Sequence, residues 1–467
     1  MATLTVEGRQ GLIILLLGTL AVGGAYLLAG TAAKTALVAA LLVGGAVVAF
    51  LRTEMSIYFL IMAMLLSPEL SVAQTPGMPL QRPITLRIDD LLIAIIAATW
   101  FLKNAFYKEL NLIRSTPLNS AIWIYSFSCV LSTMVGVLQG NVRPAAGTLY
   151  VLKYLEYFFI FWMVINTTRD ERQIRRYLAL MLAVAVIVSC VAISEIPSGR
   201  RVSAPFEGEK GEPNTLGGYL ILVLAVTVGV ALASAQYRKF LVVAGGICLI
   251  PFLYTLSRAS YLGFVPTFLI LPWLLRKRMV TLLALLGLLF VVAFPRFLPK
   301  PVLDRIEFTF SQAPQKSQVM VWGRRLDTST SARYHAFAAS LDAYMEKPLI
   351  GWGVTGWGFI DSQYFRGLVE TGLLGFATFL YLIYRIIRMA NDTRRFFRGT
   401  NPFYEGLTCG FIAATAGLLV HAIGSNTFII VRVMEPYWMI CAIVFLLPGL
   451  AQQGSKPAGT QAAGFQG

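Results

Sequence analysis

Apolar stretches, each close to the roughly 20 residues needed to cross a bilayer, recur along most of the chain, separated by short polar, basic or Gly/Pro-containing breaks. They fall at about 11–29, 35–51, 54–66, 88–103, 118–138, 147–166, 177–196, 214–234, 239–256, 259–275, 279–294, 367–388, 404–423 and 429–449. Open strands leave backbone groups unsatisfied in lipid, so each run is read as a helix. The predicted fold is an all-α polytopic integral membrane protein with about 12–14 transmembrane helices.

One interruption, 295–366, is far longer than the rest. It opens with Pro295, Pro299 and Pro301, which stop the preceding helix from simply continuing. Farther on, Tyr334, Phe337, Ala338, Leu341 and Met345 recur at helical spacing. This predicts an amphipathic helix over Ser331–Met345 lying on the outer membrane face, capped by Ser329, Thr330 or Ser331. Trp352 and Trp357 in the following Gly-rich turn would anchor at the interface. The expected units are an N-terminal bundle over 1–294, the loop over 295–366, C-terminal helices over 367–450 and a disordered tail over 451–467.

Composition excludes a water-soluble enzyme. Hydrophobic residues make up 57% and charged residues 13% of the chain, against about 25% charged in soluble proteins. The net charge of +16 does not signal nucleic acid, because the cations sit in short inter-helix breaks rather than on one solvated face. Clusters at Lys103/Lys108/Arg114, Arg169–Arg176, Arg238/Lys239, Arg276–Arg278 and Arg385–Arg398 are each separated by an even number of spans. All then lie on the cytoplasmic side, with both termini, by the positive-inside rule. The loop over 295–366 faces the opposite side, which in a bacterium is the periplasm or cell exterior. Five cysteines without a CxxC pair and only two histidines argue against a disulfide framework or a zinc site.

Candidate chemistry gathers at the loop side. A straight helix across 239–275 would run to about 55 Å, so the chain must turn back near Ser257–Arg258, which pins Arg258 at the outer rim as either a snorkelling cation or a ligand-binding one. Glu370, about one turn into an apolar helix, either pairs with Arg366 at i,i+4 spacing or orients an acceptor. Asp361 is either a general base or the N-cap of the helix that follows. His335 shares a polar face with Asp342 and Glu346. His421, Asn426, Arg432 and Glu435 flank the last outer turn, where the ordinary role of His421 is an interhelical hydrogen bond. The Gly351–Gly358 turn follows no strand and lacks a P-loop lysine.

The string RYHAFAASLDAYMEKPLIGWGVTGWGFIDSQYFRGLVETGLLG, from Arg333 onward, resembles the C-terminal signature of the O-antigen ligase and O-antigen polymerase superfamily. Ser257–Arg258, Pro213–Asn214 and Arg87 with Asp89/Asp90 extend the likeness. The resemblance implies a C-type glycosyltransferase acting on the outer leaflet without metal, nucleotide-sugar or other cofactor. Its donor would be a glycan on undecaprenyl pyrophosphate and its acceptor a second glycan; a flippase and a chain-length regulator are implied partners. Arg258 and Arg333 match the arginines that hold the pyrophosphate, with Arg324, Arg325, Arg200, Arg201, His335, Arg366 and Asn214 as further substrate-binding candidates and Asp361 and Glu370 as catalytic ones. Where the ligase branch usually has histidine then asparagine, this chain has Asp361–Ser362. That departure points to a polymerase, with a ligase acting on lipid A core or protein as the alternative. A transporter is the reading from another class, disfavoured by the absence of a convincing inverted repeat.

Overall fold

The computed structural model describes residues 53–67, 69–73, 84–107, 114–205, 211–313, 315, 318–321 and 323–454. The spans expected over 11–29 and 35–51, and most of the expected tail, lie outside the described residues.

From residue 53 onward every expected span is a helix. They are α1 (Thr53–Leu66), α2 (Ile88–Tyr107), α3 (Asn119–Leu138), α4 (Pro144–Thr167), α5 (Glu171–Glu195), α6 (Pro213–Ala233), α7 (Arg238–Tyr254), α8 (Arg258–Leu274) and α9 (Arg278–Ala293). After the long interruption come α12 (Gln363–Phe397), α13 (Pro402–His421) and α14 (Val431–Gly454). Among the described residues, α3, α4, α5, α6, α12, α13 and α14 are long and apolar enough to cross a membrane. The protein is an all-α, multi-pass membrane protein.

The core is built on α6 and α13, the most extensively packed pair. Small residues permit it: a Cβ added at Gly406 would come within 2.6 Å of the Gly229 carbonyl oxygen, and one at Gly410 within 2.6 Å of that of Ala225. Such close backbone approach is what drives helix association where lipid is as apolar as leucine. On the flank of α14, Trp438 is wedged between Phe158 and Phe161 of α4, at 4.8 and 5.5 Å between ring centroids.

Alternation of the helices puts Arg114, the Arg169–Arg176 group, Arg238/Lys239, Arg276–Arg278 and the end of α12 at one end of the bundle. This basic end is opposite the end that carries the long interruption. The side chains of Lys103 and Lys108 lie outside the described residues.

The interruption is more structured than one expected helix. After a short 3-10 turn at Pro295–Phe297 come α10 (Lys300–Ser311), a two-stranded ribbon of β3 (Met320–Val321) and β4 (Arg324–Arg325), then α11 (Thr328–Glu346). Here β3 and β4 follow an earlier hairpin of β1 (Glu69–Ala73) and β2 (Ile84–Arg87) at the same end. The cap of α11 is Asp327, not Ser329, Thr330 or Ser331: its carboxylate accepts from the Thr330 amide at 2.7 Å. A carboxylate near the helix N-terminus also gains from the dipole.

The apolar positions predicted to share one face of α11 divide. Phe337 stacks on Phe365 at 4.4 Å, beside Ala343, a residue outside that set that is buried with Ile360 and Val369, whereas Tyr334, Ala338, Leu341 and Met345 point outward as an exposed stripe. The helix therefore docks on the start of α12 with one stripe while offering a second to its surroundings. Trp352 and Trp357 are not free interfacial anchors. Both are partly buried against the Ala343 cluster, and the Trp352 indole donates to the Ala343 carbonyl at 2.8 Å.

Candidate active site: arginines at the loop-bearing end

The reversal between α7 and α8 is made by Leu256 at φ 48°, followed by Ser257, which caps α8 by accepting from the Ser260 amide. The Ser257 hydroxyl also donates to the Asn214 side-chain oxygen at 2.7 Å, fastening the turn to the start of α6. Arg258, the first residue of α8, is thereby aimed outward into 295–346. Its guanidinium binds Asp327 and donates to Thr309 at 2.7 Å and Thr330 at 3.1 Å. One side chain thus ties α8 to both α10 and α11.

Arg333 lies one turn beyond Thr330 on α11 and donates from Nη2 and Nε to the Asp361 Oδ2, at 2.7 and 3.3 Å. Arg201, in the segment after α5, donates to the Thr255 carbonyl at 3.0 Å. Partial burial, then the nearby cations Arg305, Arg258 and Arg333, bring the Arg201 guanidinium down to about 10. Arg305 of α10 is likewise held below the ordinary arginine range by burial, Arg258 and Arg333. Four guanidinium groups from separate stretches therefore share one electrostatic neighbourhood, with Asp327 and Asp361 as the two carboxylates bound to them. The excess is positive, and guanidinium groups held apart in a partly dry site are an arrangement suited to an anion.

Burial opposes ionisation of Asp327, yet the Arg258 hydrogen bond and the Thr330 amide hold its carboxyl below the usual range. A depressed carboxyl adds stability that is complete above its unfolded value of about 3.9 and disappears as pH falls through the lower folded value. Asp327→Asn is expected to cost about 1–3 kcal/mol in thermal unfolding and to flatten this acid limb. An unchanged acid limb in the variant would show that the pair contributes nothing.

Glu370 has a different setting. Its Oε1 sits 3.0 Å from Arg366 Nε and accepts from the Thr355 amide at 3.0 Å, with both side chains buried. The expected i,i+4 pair is present, and through Thr355 it holds the Gly-rich turn against α12. Backbone bonds from Trp352 to Val369 and from Gly353 to Glu370 complete the clamp, with the Ser132 hydroxyl of α3 on the Ile350 and Glu370 carbonyls. Arg366 is walled in, with the Tyr150 ring 5.7 Å away.

Asp361 is not the N-cap of α12; Ser362 takes that position, which leaves Asp361 one residue outside and free to reach Arg333. His335, two residues from Arg333, is turned about 200° round the helix and is exposed, its ring edge-on to Tyr334. Arg200 and Arg325 are exposed, and the side chain of Arg324 lies outside the described residues. Arg305 was absent from the sequence candidates because its surroundings were read as open loop. The signal available was the alternation of apolar and charged residues over Lys300–Ser311.

His421 hydrogen-bonds Thr427 at 2.7 Å, in the turn that follows its own helix, and also meets the Asn214 backbone at the start of α6, an interhelical contact. Asn426 donates to the Ile360 carbonyl, next to Asp361. Arg432 donates to Pro205 at 2.7 Å and Ser67 at 3.2 Å. A second polar group lies at this end, with Arg87 on Asp89, Ser67 on Asp89 at 2.9 Å and Lys153 on Asp90 at 3.1 Å. Among the described residues no His/Cys/Asp/Glu group is arranged to hold a metal ion.

Residues 241–380, from within α7 into α12, match the family described as O-antigen ligase. Through that stretch, the chain is similar to the O-antigen ligase/polymerase superfamily. The match takes in Arg258, Arg305, Arg333, Asp361 and Glu370 and covers under a third of the sequence. An O-antigen ligase/polymerase-type function, that of a membrane glycosyltransferase-like enzyme, follows from it. No curated protein matches the chain.

Proposed function

We propose that the protein is an outer-leaflet glycan polymerase of the bacterial inner membrane, its loop-bearing end facing the periplasm. It transfers a growing polysaccharide from undecaprenyl pyrophosphate onto the terminal sugar of an incoming lipid-linked repeat unit. The observation that carries this reading is the convergence of Arg201, Arg258, Arg305 and Arg333 at one end of a membrane bundle. The acceptor hydroxyl oxygen attacks the anomeric carbon, the carbon–oxygen bond to pyrophosphate breaks with inversion, and the electron pair leaves on the diphosphate. Charge grows on that leaving group, so prepositioned guanidinium groups stabilise the transition state more than the bound donor. No metal is needed for this step, because the cations are supplied by the chain.

Asp361 is the proposed general base. A diphosphate that takes over the Arg333 guanidinium would release the Asp361 carboxylate, which takes the acceptor hydroxyl proton on the face of the anomeric carbon away from the departing group. Glu370 and Arg366 position the turn rather than touch substrate. The basic end would lie in the cytoplasm, and a flippase that delivers repeat units and a chain-length regulator are the expected partners.

The second reading is a ligase that moves the finished glycan to lipid A core or protein, favoured by the description of the matching family. A strain lacking the protein separates the two. Polymerase loss leaves single repeats on the final acceptor, whereas ligase loss leaves long polymer stranded on the carrier lipid. Normal glycan in that strain would sink both.

A further inference from the structure

At the basic end a cavity of about 1070 Å³ opens between the start of α3, the end of α4, the second half of α12 and the end of α14. Arg114, Arg169, Arg385 and Arg388 line it, with Asp392 the one acidic lining residue among the described residues. Arg385 is fixed in place by donating to the Tyr381 hydroxyl at 2.6 Å and to the Pro117 carbonyl. Against these stands an apolar wall that includes Ile165, Phe445 and Leu450.

The cavity is amphipathic: excess guanidinium on one side, hydrocarbon on the other, at the depth where bundle helices end. A free phosphate would use the cations and leave the wall idle. We infer that this cavity binds the phosphate headgroup of an anionic phospholipid, with Arg169 and Arg388 on the phosphate and the wall against the glycerol and upper acyl chains. Cations scattered at a helix end attract an anionic leaflet without specificity; four arginines lining one half-open cavity, together with a wall for the lipid body, make a discrete site. It lies at the opposite end of the bundle from Arg258 and Arg333 and does not depend on the glycan reading.

The test uses the full chain in nanodiscs of zwitterionic phosphatidylcholine, titrated with phosphatidylglycerol, with bound lipid counted by native mass spectrometry and thermal unfolding as the second readout. Wild type should retain phosphatidylglycerol and gain thermal stability, with no such gain from added phosphatidylcholine. Arg169→Gln with Arg388→Gln should weaken retention by roughly 25-fold, about 1 kcal/mol per arginine. Gly449→Leu supplies an independent variant that keeps every arginine. Gly449 lines the cavity and a Cβ there meets no atom within 4 Å, so the added side chain starts into open space and should expel the lipid. Arg395→Gln with Arg398→Gln, at the same end but outside the cavity, should leave retention unchanged. Equal losses from the Arg395/Arg398 pair, unaltered retention in Gly449→Leu, or complete displacement by millimolar inorganic phosphate would each overturn the inference.

Discussion

Arg333→Ala is expected to stop chain extension while the protein stays in the membrane at its normal level. The Arg333–Asp361 pair is about a third exposed on both sides, and ion pairs that open to solvent contribute little to stability. Removal of one donor from a charge-stabilising site, by contrast, lowers turnover by about 10²–10³. Activity should therefore fall by that factor with little change in thermal unfolding, measured as polymer length on the carrier lipid in a complemented deletion strain. Arg258→Ala should abolish extension as well, but less cleanly, because it strands a fully buried Asp327 without its partner. Arg258→Lys keeps the charge and one nitrogen for Asp327, Thr309 and Thr330, all of which Arg258 meets with Nη1 alone, but it lacks the second nitrogen of a bidentate diphosphate contact, so it should remain impaired. Normal polymer from Arg333→Ala at wild-type protein level would remove the diphosphate assignment.

Gly372→Ala should produce the largest structural effect. Gly372 breaks α12 at φ 63°, ψ −170°, a region only glycine occupies comfortably. Its missing side chain also leaves room for the Pro348–Leu349 backbone: Leu373 and Leu374 donate to the Pro348 and Leu349 carbonyls at 2.8 and 3.2 Å. A methyl group at residue 372 would overlap the Leu349 carbonyl. Backbone strain and overlap together should cost about 3 kcal/mol or more, seen as reduced membrane accumulation and a lower unfolding temperature. Gly367→Ala, five residues earlier in the same helix, meets nothing nearer than 3.7 Å and should be tolerated. If both variants accumulate and unfold alike, the kink carries no special demand.

Legibility differed sharply between the helices and the site. The spans from residue 54 on were readable because each carries its own signal, a run of apolar residues bounded by polar breaks, and lipid allows such a run one secondary structure. The Arg366–Glu370 pair was readable for the same local reason, four residues along one helix. Asp327 was not, because its importance depends on Arg258, 69 positions earlier in sequence. Arg305 was missed for a related reason: a short amphipathic helix after a proline cluster resembles an ordinary polar loop until its neighbours are known. The two tryptophans and Phe337 were placed on the membrane surface by a rule that knows polarity but not what the helix docks against.

What the chain specified alone was therefore its spans, their alternation, the basic end and the general place where charge would collect. Tertiary structure decided which charges meet: it joined Arg201, Arg258, Arg305 and Arg333 across four segments, gave Asp361 to Arg333 rather than to a helix cap, and put Glu370 to holding a turn. The division has a physical cause. Hydrophobic periodicity is a property of consecutive residues and can be read one segment at a time. Electrostatic complementarity depends on distance through space, which is fixed only when every segment has packed.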